Sequence, residues 1–358
     1  EVFARRLPDG RRYGVVAGTG RLLDELERFR FGDDELAALD GVVDRQTLDW
    51  LADYRFGGEI DGYAEGELYF PGSPILTVRG GFAEAVILET LVLSILNHDS
   101  AIASAAARMV SAAAGRPVIE MGSRRTHERA AVAAARAAYL AGVASTSNLE
   151  AARTYGVPSA GTAAHSFTLS FATPDGSDER AAFAAQIADL GVSTTLLVDT
   201  YDITAGVRNA VEVAGPELFA VRIDSGDLGV LARQVRQQLD ELGATGTKIV
   251  VSGDLDEYAI ASLRAEPVDI YGVGTALVTG SGAPTAGMVY KLVEVDGIPV
   301  AKRSSHKQSQ GGAKKAVRLA RESGTVVEEL VYRTGEPDRA AGNLVVRDLQ
   351  IPLVRDGE

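Results

Sequence analysis

Between residues 44 and 56 the apolar positions Leu48, Leu51 and Tyr54 recur at three-residue spacing, which predicts an amphipathic helix. Short extended runs follow at 67–70 and 75–78. Residues 83–114 are then almost continuously helix-prone, rich in Ala and Leu with polar positions recurring. From about residue 115 the rhythm changes, and short apolar runs at 117–120, 143–146, 157–160, 194–199, 218–224, 248–252 and 268–272 read as strands. Helical patterns separate most of them, for example at 127–141, 203–213, 229–242 and 255–263. Strands alternating with helices imply a parallel sheet. Seven such units over ~160 residues suit a closed or nearly closed β/α barrel, although an open doubly wound sheet gives the same linear pattern. After residue 287 the alternation stops. Residues 288–295 and 299–302 read as a hairpin around Asp296-Gly297, and this tail is expected to pack with the first third of the chain.

With 46% hydrophobic and 24% charged residues the chain belongs among folded globular proteins. No run of unbroken apolar residues approaches the ~20 needed to cross a bilayer. The nearest, 85–96, carries Glu89 and reads as a buried helix, and no cleavable signal pattern stands out. Cysteine is absent from the sequence, which rules out disulfides, thiolate nucleophiles and Cys-ligated metal centres and fits the cytoplasm. A net charge of −13 argues against general binding to nucleic acid, so any anionic substrate must meet a local positive charge.

In a β/α barrel the chemistry sits at the C-terminal ends of the strands. Here those ends are Gly122-Ser123-Arg124-Arg125, Ser145-Thr146-Ser147-Asn148, Gly161-Thr162 with His165-Ser166, Asp199-Thr200-Tyr201-Asp202, Arg222-Ile223-Asp224-Ser225-Gly226-Asp227, Ser252-Gly253-Asp254 and Gly272-Val273-Gly274-Thr275. Each of them has a plain structural explanation. Arg222 and Asp224 lie two apart on one strand and suit a structural ion pair. Asp254 with Glu257, and Ser225 or Asp227, suit helix caps. His165 alone is one histidine among His98, His127 and His306. Together, however, arginines, helix starts and Gly-Thr turns are anion-binding devices, as a phosphate substrate would require. Asp224 and Asp254 could then hold Mg²⁺ or sugar hydroxyls. A basic cluster follows at Lys302-Arg303, His306-Lys307 and Lys314-Lys315. Its default reading is a solvated loop, with phosphate contact as the alternative.

Read as continuous strings, Glu120-Met121-Gly122-Ser123-Arg124-Arg125, Thr146-Ser147-Asn148, Gly161-Thr162-Ala163-Ala164-His165-Ser166-Phe167, Leu197-Val198-Asp199-Thr200-Tyr201-Asp202, Arg222-Ile223-Asp224-Ser225-Gly226-Asp227-Leu228 and Tyr290-Lys291-Leu292-Val293-Glu294 resemble the bacterial nicotinate phosphoribosyltransferases, in order through nearly the whole chain. The resemblance implies an α/β protein, with an irregular β/α barrel at 115–287 and an α/β domain formed by 1–114 with 288–358. It also implies a homodimer with shared active sites, without nucleic-acid or membrane partners. The implied reaction condenses nicotinate with phosphoribosyl pyrophosphate, coupled to ATP hydrolysis through a phosphohistidine, for NAD biosynthesis. By that resemblance His165 is the phosphorylated residue. Arg222 and Thr162 stand near the nicotinate carboxylate, and Thr275 at the phosphoribosyl site. Similarity to the nicotinamide-using relatives adds Arg5, Arg124, Asp254 and Gly274 at the donor, with Lys302 or Lys307 reaching it across the dimer, and Mg²⁺ alongside. At Ser147 those relatives resemble each other in having an Asp, which would repel a carboxylate, so Ser147 favours nicotinate. The family pattern also includes an earlier Tyr-bearing segment and a longer C-terminus. A barrel lyase or isomerase of a sugar phosphate, and a catalytically silent family member, are the readings from other classes. Asp199 and Asp224 are the candidates for orienting His165.

Overall fold

The computed structural model describes residues 1–174, 176–302, 309–336 and 341–358. The chain divides into two compact units, Ile102–Pro284 and Glu1–Ala101 with Thr285–Glu358.

The first unit is built on parallel strands β1 (Val118–Glu120), β2 (Ser145–Thr146), β3 (Thr195–Leu197), β4 (Ala220–Ile223), β5 (Lys248–Val251) and β6 (Ile270–Val273), in the spatial order β3-β4-β5-β6-β1-β2. They form a curled half-barrel. Laterally paired residues share a face, as in Leu197↔Arg222, Arg222↔Val250 and Val250↔Ile270. Ile119, Ser145, Thr195, Val250 and Ile270 line one cavity of about 320 Å³ on the concave side. The alternate set, including Val118, Leu196, Val221, Val251 and Val273, is buried under the helices. Segment 157–160, expected as a strand, contributes one bridge, Thr146↔Ser159. Thr146 N–H donates to the Pro158 carbonyl, and Pro158 has no N–H with which to extend a ladder.

Helix starts follow the strand ends because Asp or Asn stands there to cap them. Asn148, Asp178, Asp202, Asp227 and Asp256 each accept from an N–H in the first turn of the following helix. His127 caps Glu128–Leu140 in the same way. In that helix Ala131, Ala134, Ala135, Ala137 and Ala138 are buried, side chains small enough for close packing.

The second unit contains a five-stranded sheet. Val2–Ala4 pairs with Met288–Tyr290, and Glu59–Tyr63 pairs with Leu76–Arg79 and with Gln350–Val354, all antiparallel. The expected turn at Asp296-Gly297 joins Glu294–Val295 to Ile298–Pro299. Asp296 and Gly297 both adopt positive φ, as a tight hairpin turn requires. Lys314, expected in a solvated basic loop, is instead buried, with its Nζ 2.7 Å from the Glu1 carboxylate and within reach of the Gln310 and Gly312 carbonyls. The expectation about membrane-length segments also needs correction. Helices Phe82–Ile87 and Glu89–Ala113 together give a 32-residue stretch long and apolar enough to cross a bilayer. Its residues Leu88, Val92, Leu96, Ala103, Ala106 and Met109 are fully buried in the protein, as in a core helix.

Candidate active site

His165 opens the helix His165–Leu169 and is partly buried. Its Nδ1 lies 3.1 Å from the Thr200 hydroxyl. Its Nε2 faces two carboxylates from beyond hydrogen-bond reach, Asp199 Oδ1 at 4.0 Å and Asp224 Oδ2 at 3.9 Å. A Thr200 hydroxyl that accepts from Nδ1–H leaves the lone pair on Nε2. Asp199 is held rigidly. Its side chain is 1% exposed, and Oδ2 accepts from the Asp224 N–H at 2.9 Å and the Ser225 hydroxyl at 2.7 Å. Asp199 Oδ1 is buried and has no hydrogen-bond partner among the described residues. An uncommitted buried carboxylate oxygen beside an imidazole calls for a proton or a cation.

Arg222 reaches the same place from β4. Nε donates to the Ser252 hydroxyl at 2.7 Å, Nη1 to the Thr162 hydroxyl at 2.7 Å and Nη2 to Asp224 Oδ1 at 2.9 Å. Ser252 in turn donates to the same Asp224 oxygen at 2.5 Å. The expected Arg222–Asp224 ion pair is therefore present, and two strand ends together with the Gly161-Thr162 loop hold the guanidinium plane. Of the five N–H groups a guanidinium carries, one on each Nη remains uncommitted among the described residues, an arrangement that suits a carboxylate. Burial pushes the Asp224 carboxyl up, but the Ser252 hydroxyl, the Arg222 guanidinium and His165 outweigh it, so the group lies below its ordinary value.

Gly253 takes φ +104°, and a Cβ there would meet the Asp224 carbonyl oxygen at 2.5 Å. Only glycine fits this turn. Asp254 follows at φ +35° and is exposed. It is not the cap of the next helix, as its spacing to Glu257 had implied. Asp256 takes that role, accepting from the Tyr258 and Ala259 N–H groups at 2.9 and 2.8 Å, because its side chain stands directly before the first helical turn. Of the other candidate caps, Asp227 accepts from Val230 N–H, whereas Ser225 is committed to Asp199.

Arg124 is exposed in the turn Ser123–Arg125, and Ser147 is exposed at the end of β2. Ser147 and Thr162 line a cleft of about 720 Å³ with Phe167 and Gln186. Gly274 precedes the short helix Thr275–Val278, and Thr275 is exposed. Arg5 and Lys302 belong to the other unit. Arg5 lines a cavity of about 600 Å³ there with Glu1, Gln310 and Lys314, and its Nε has no hydrogen-bond partner among the described residues. Lys307 lies outside the described residues. Thr200 and Ser252 were visible as strand-end residues, but no sequence signal assigned them to His165 or to Arg222 and Asp224.

Two family models match the chain. The nicotinate phosphoribosyltransferase N-terminal domain matches residues 1–97, and the nicotinate phosphoribosyltransferase family matches residues 117–328. Nicotinate phosphoribosyltransferase pncB1 of Mycobacterium tuberculosis is 68% identical over 364 residues, covering 100% of this chain and 80% of that protein. The Bacillus subtilis nicotinate phosphoribosyltransferase is 37% identical, over 90% of this chain and 68% of that one. The crystal structure of human nicotinic acid phosphoribosyltransferase superposes with a TM-score of 0.84 at 28% identity, over 100% of this chain and 84% of that one. A nicotinate-nucleotide pyrophosphorylase structure from Pyrococcus furiosus has a TM-score of 0.83 at 27% identity, over 100% and 83%. The chain belongs to the nicotinate phosphoribosyltransferase family.

Proposed function

We propose that the protein condenses nicotinate with phosphoribosyl pyrophosphate, giving nicotinate mononucleotide and pyrophosphate for NAD salvage in the cytoplasm. It couples this to ATP hydrolysis through a phosphate carried on His165, and it acts as a homodimer with shared active sites. The observation that carries the reading is the meeting of an imidazole held at Nδ1 beside the Thr200 hydroxyl, two carboxylates and a triply held guanidinium at one end of the half-barrel.

In this reading Arg222 receives the nicotinate carboxylate through its two uncommitted N–H groups, and Thr162 and Ser252 keep the fork in plane. Ser147 brings no charge against that carboxylate. Arg124, Asp254, Gly274 and Thr275 bind the phosphoribosyl donor, joined by Arg5 and by Lys302 or Lys307. Breaking the bond to pyrophosphate builds positive charge on the ribose and negative charge on the leaving group, so positioning and electrostatic stabilisation make up most of the catalysis. His165 Nε2 attacks the terminal phosphorus of ATP, ADP leaves with the bridging oxygen, and water later cleaves the N–P bond to release phosphate. Asp224 and Asp199 Oδ1 offer hard oxygen donors and would be the residues to hold a Mg²⁺ ion brought in with the phosphates. Among the described residues no group of three or more His, Cys, Asp or Glu stands together as a metal site. Such an ion would neutralise phosphate charge.

The test mixes the protein with phosphoribosyl pyrophosphate, Mg²⁺ and nicotinate, nicotinamide or quinolinate in turn, with and without ATP, and measures pyrophosphate and mononucleotide. Nicotinate-dependent pyrophosphate that ATP stimulates is the expected result, and its absence sinks the reading. Acid-labile protein phosphate should form with ATP and vanish in His165→Ala. Its persistence in that variant would rule out His165 as the carrier.

A further inference from the structure

Glu120 closes β1 with its side chain on the helix-covered face, where Val118 two residues before it and its register partner Val273 are apolar. It is 1% exposed, and no cation pairs with it among the described residues. A buried carboxylate without a counter-charge is costly, so its hydrogen bonds must matter to the local structure. One oxygen accepts the Gly122 N–H, which leads into Ser123-Arg124. The other accepts the hydroxyl of Thr146, itself fully buried, at 2.5 Å. The Thr146 hydroxyl then accepts the Asn148 N–H at 2.9 Å, and Asn148 Nδ2 donates back to the Ser123 hydroxyl at 2.9 Å. The loop is closed by the Ser147 N–H donating to the Glu120 carbonyl at 2.8 Å. Thr146 also bonds through its backbone to Pro158 and Ala160, directly before Gly161-Thr162.

We infer that Glu120 is a positioning residue, clamping the turns that present Arg124 and Ser147 into one rigid piece at the mouth of the site. The inference rests on the function proposed above. Its carboxylate touches no substrate and acts through the backbone it holds. Burial raises this carboxyl above its ordinary value, and the bonds from Thr146 and Gly122 only partly offset that. A Gln at this position keeps the shape and can still accept from Gly122. It then presents an NH₂ group to a hydroxyl that already accepts from Asn148, so the Thr146 hydroxyl loses its acceptor.

The experiment compares E120Q, T146V and the double variant with the unaltered protein. It measures steady-state kinetics for nicotinate and for the donor, calorimetric binding of nicotinate, and thermal melts. The expected result is a fall in kcat/KM of about 10- to 100-fold in each single variant, carried mainly by KM and by weaker nicotinate binding. The double variant should be little worse than the singles, because both break one clamp. A parent protein without activity defeats the proposed function and leaves this comparison to binding alone. An active parent with unchanged KM and binding in a folded E120Q overturns the clamp. So do additive effects of the two substitutions, or losses confined to melting temperature. If E120Q does not fold, T146V alone decides, since it removes the same hydroxyl and leaves the carboxylate in place.

Discussion

Replacing Arg222 with Lys keeps the charge and removes the fork, which makes it the sharpest test of how the site distinguishes an acid from an amide. The guanidinium bonds Ser252, Thr162 and Asp224 simultaneously from one plane, at 2.7, 2.7 and 2.9 Å. A single ammonium cannot span those three partners and also offer two parallel N–H groups to a ligand. A hydrogen bond to a charged group is worth about 1.5–3 kcal/mol. Losing the second bond to the carboxylate and the alignment of the first should therefore cost about 2–3 kcal/mol, or roughly 30- to 150-fold in kcat/KM for nicotinate. The Asp224 ion pair weakens too. That side chain is 32% exposed and retains the Ser252 hydroxyl, so the stability loss should stay near about 1 kcal/mol. The assay is paired kinetics on nicotinate and nicotinamide, with a denaturant melt on the same preparation. Any nicotinamide turnover should fall far less, since a neutral amide gains little from the fork. Unchanged kcat/KM for nicotinate refutes the assignment. An equal fall for both substrates indicates that the variant acts through Asp224 and the fold rather than through the carboxylate.

Ser147→Asp puts a negative charge beside the proposed carboxylate, and the nicotinamide-to-nicotinate ratio of kcat/KM should rise by about tenfold or more, read from the same paired assay; an unaltered ratio removes Ser147 from specificity. Gly253→Ala forces a Cβ to within 2.5 Å of the Asp224 carbonyl at φ +104°, which should cost about 1–3 kcal/mol by denaturant titration and lower activity as well. The control is Gly156→Ala, at φ +68°, where a Cβ would meet nothing beyond its chain neighbours within 4 Å among the described residues and the backbone strain remains. Glu67 is paired with Arg318 at 2.9 Å and Arg347 at 2.6 Å. Burial raises its carboxyl, but Arg347, the Leu68 N–H and Arg318 bring it below the ordinary 4.5. Its contribution to stability is thus complete above 4.5 and is lost as pH falls through the lowered value. Melting temperatures should drop on acidification from about pH 5 to pH 3, and less steeply in Glu67→Gln; parallel curves would refute the assignment.

What the chain reveals on its own depends on a single coordinate. Alternation of apolar runs and helices marks where each strand stops, and strand ends lie at one end of a parallel sheet, so the sequence alone gathers Arg222, Asp224, Thr162 and His165 into one group. Which of them touch depends on lateral register, and that is set by partners far along the chain. Arg222 meets Ser252 across 30 residues, and His165 meets Thr200 across 35. Lys314 shows the same limit from the other side. Its basic neighbours suggest a solvated loop, yet a carboxylate 313 residues away draws it into the interior. The apolar stretch ending at Ala113 passes for a membrane span by length and composition, because periodicity cannot say whether lipid or protein covers a helix. Segment 157–160 misled for a local reason, since its apolar character is that of a strand while Pro158 limits its pairing. Glu120 combines both difficulties. It stands first in a string that resembles the family, but period-two alternation turns it toward the helices, away from Ile119 and the concave side. Reading function only from inward-facing strand ends therefore passes over the residue whose buried carboxylate ties two of those ends together.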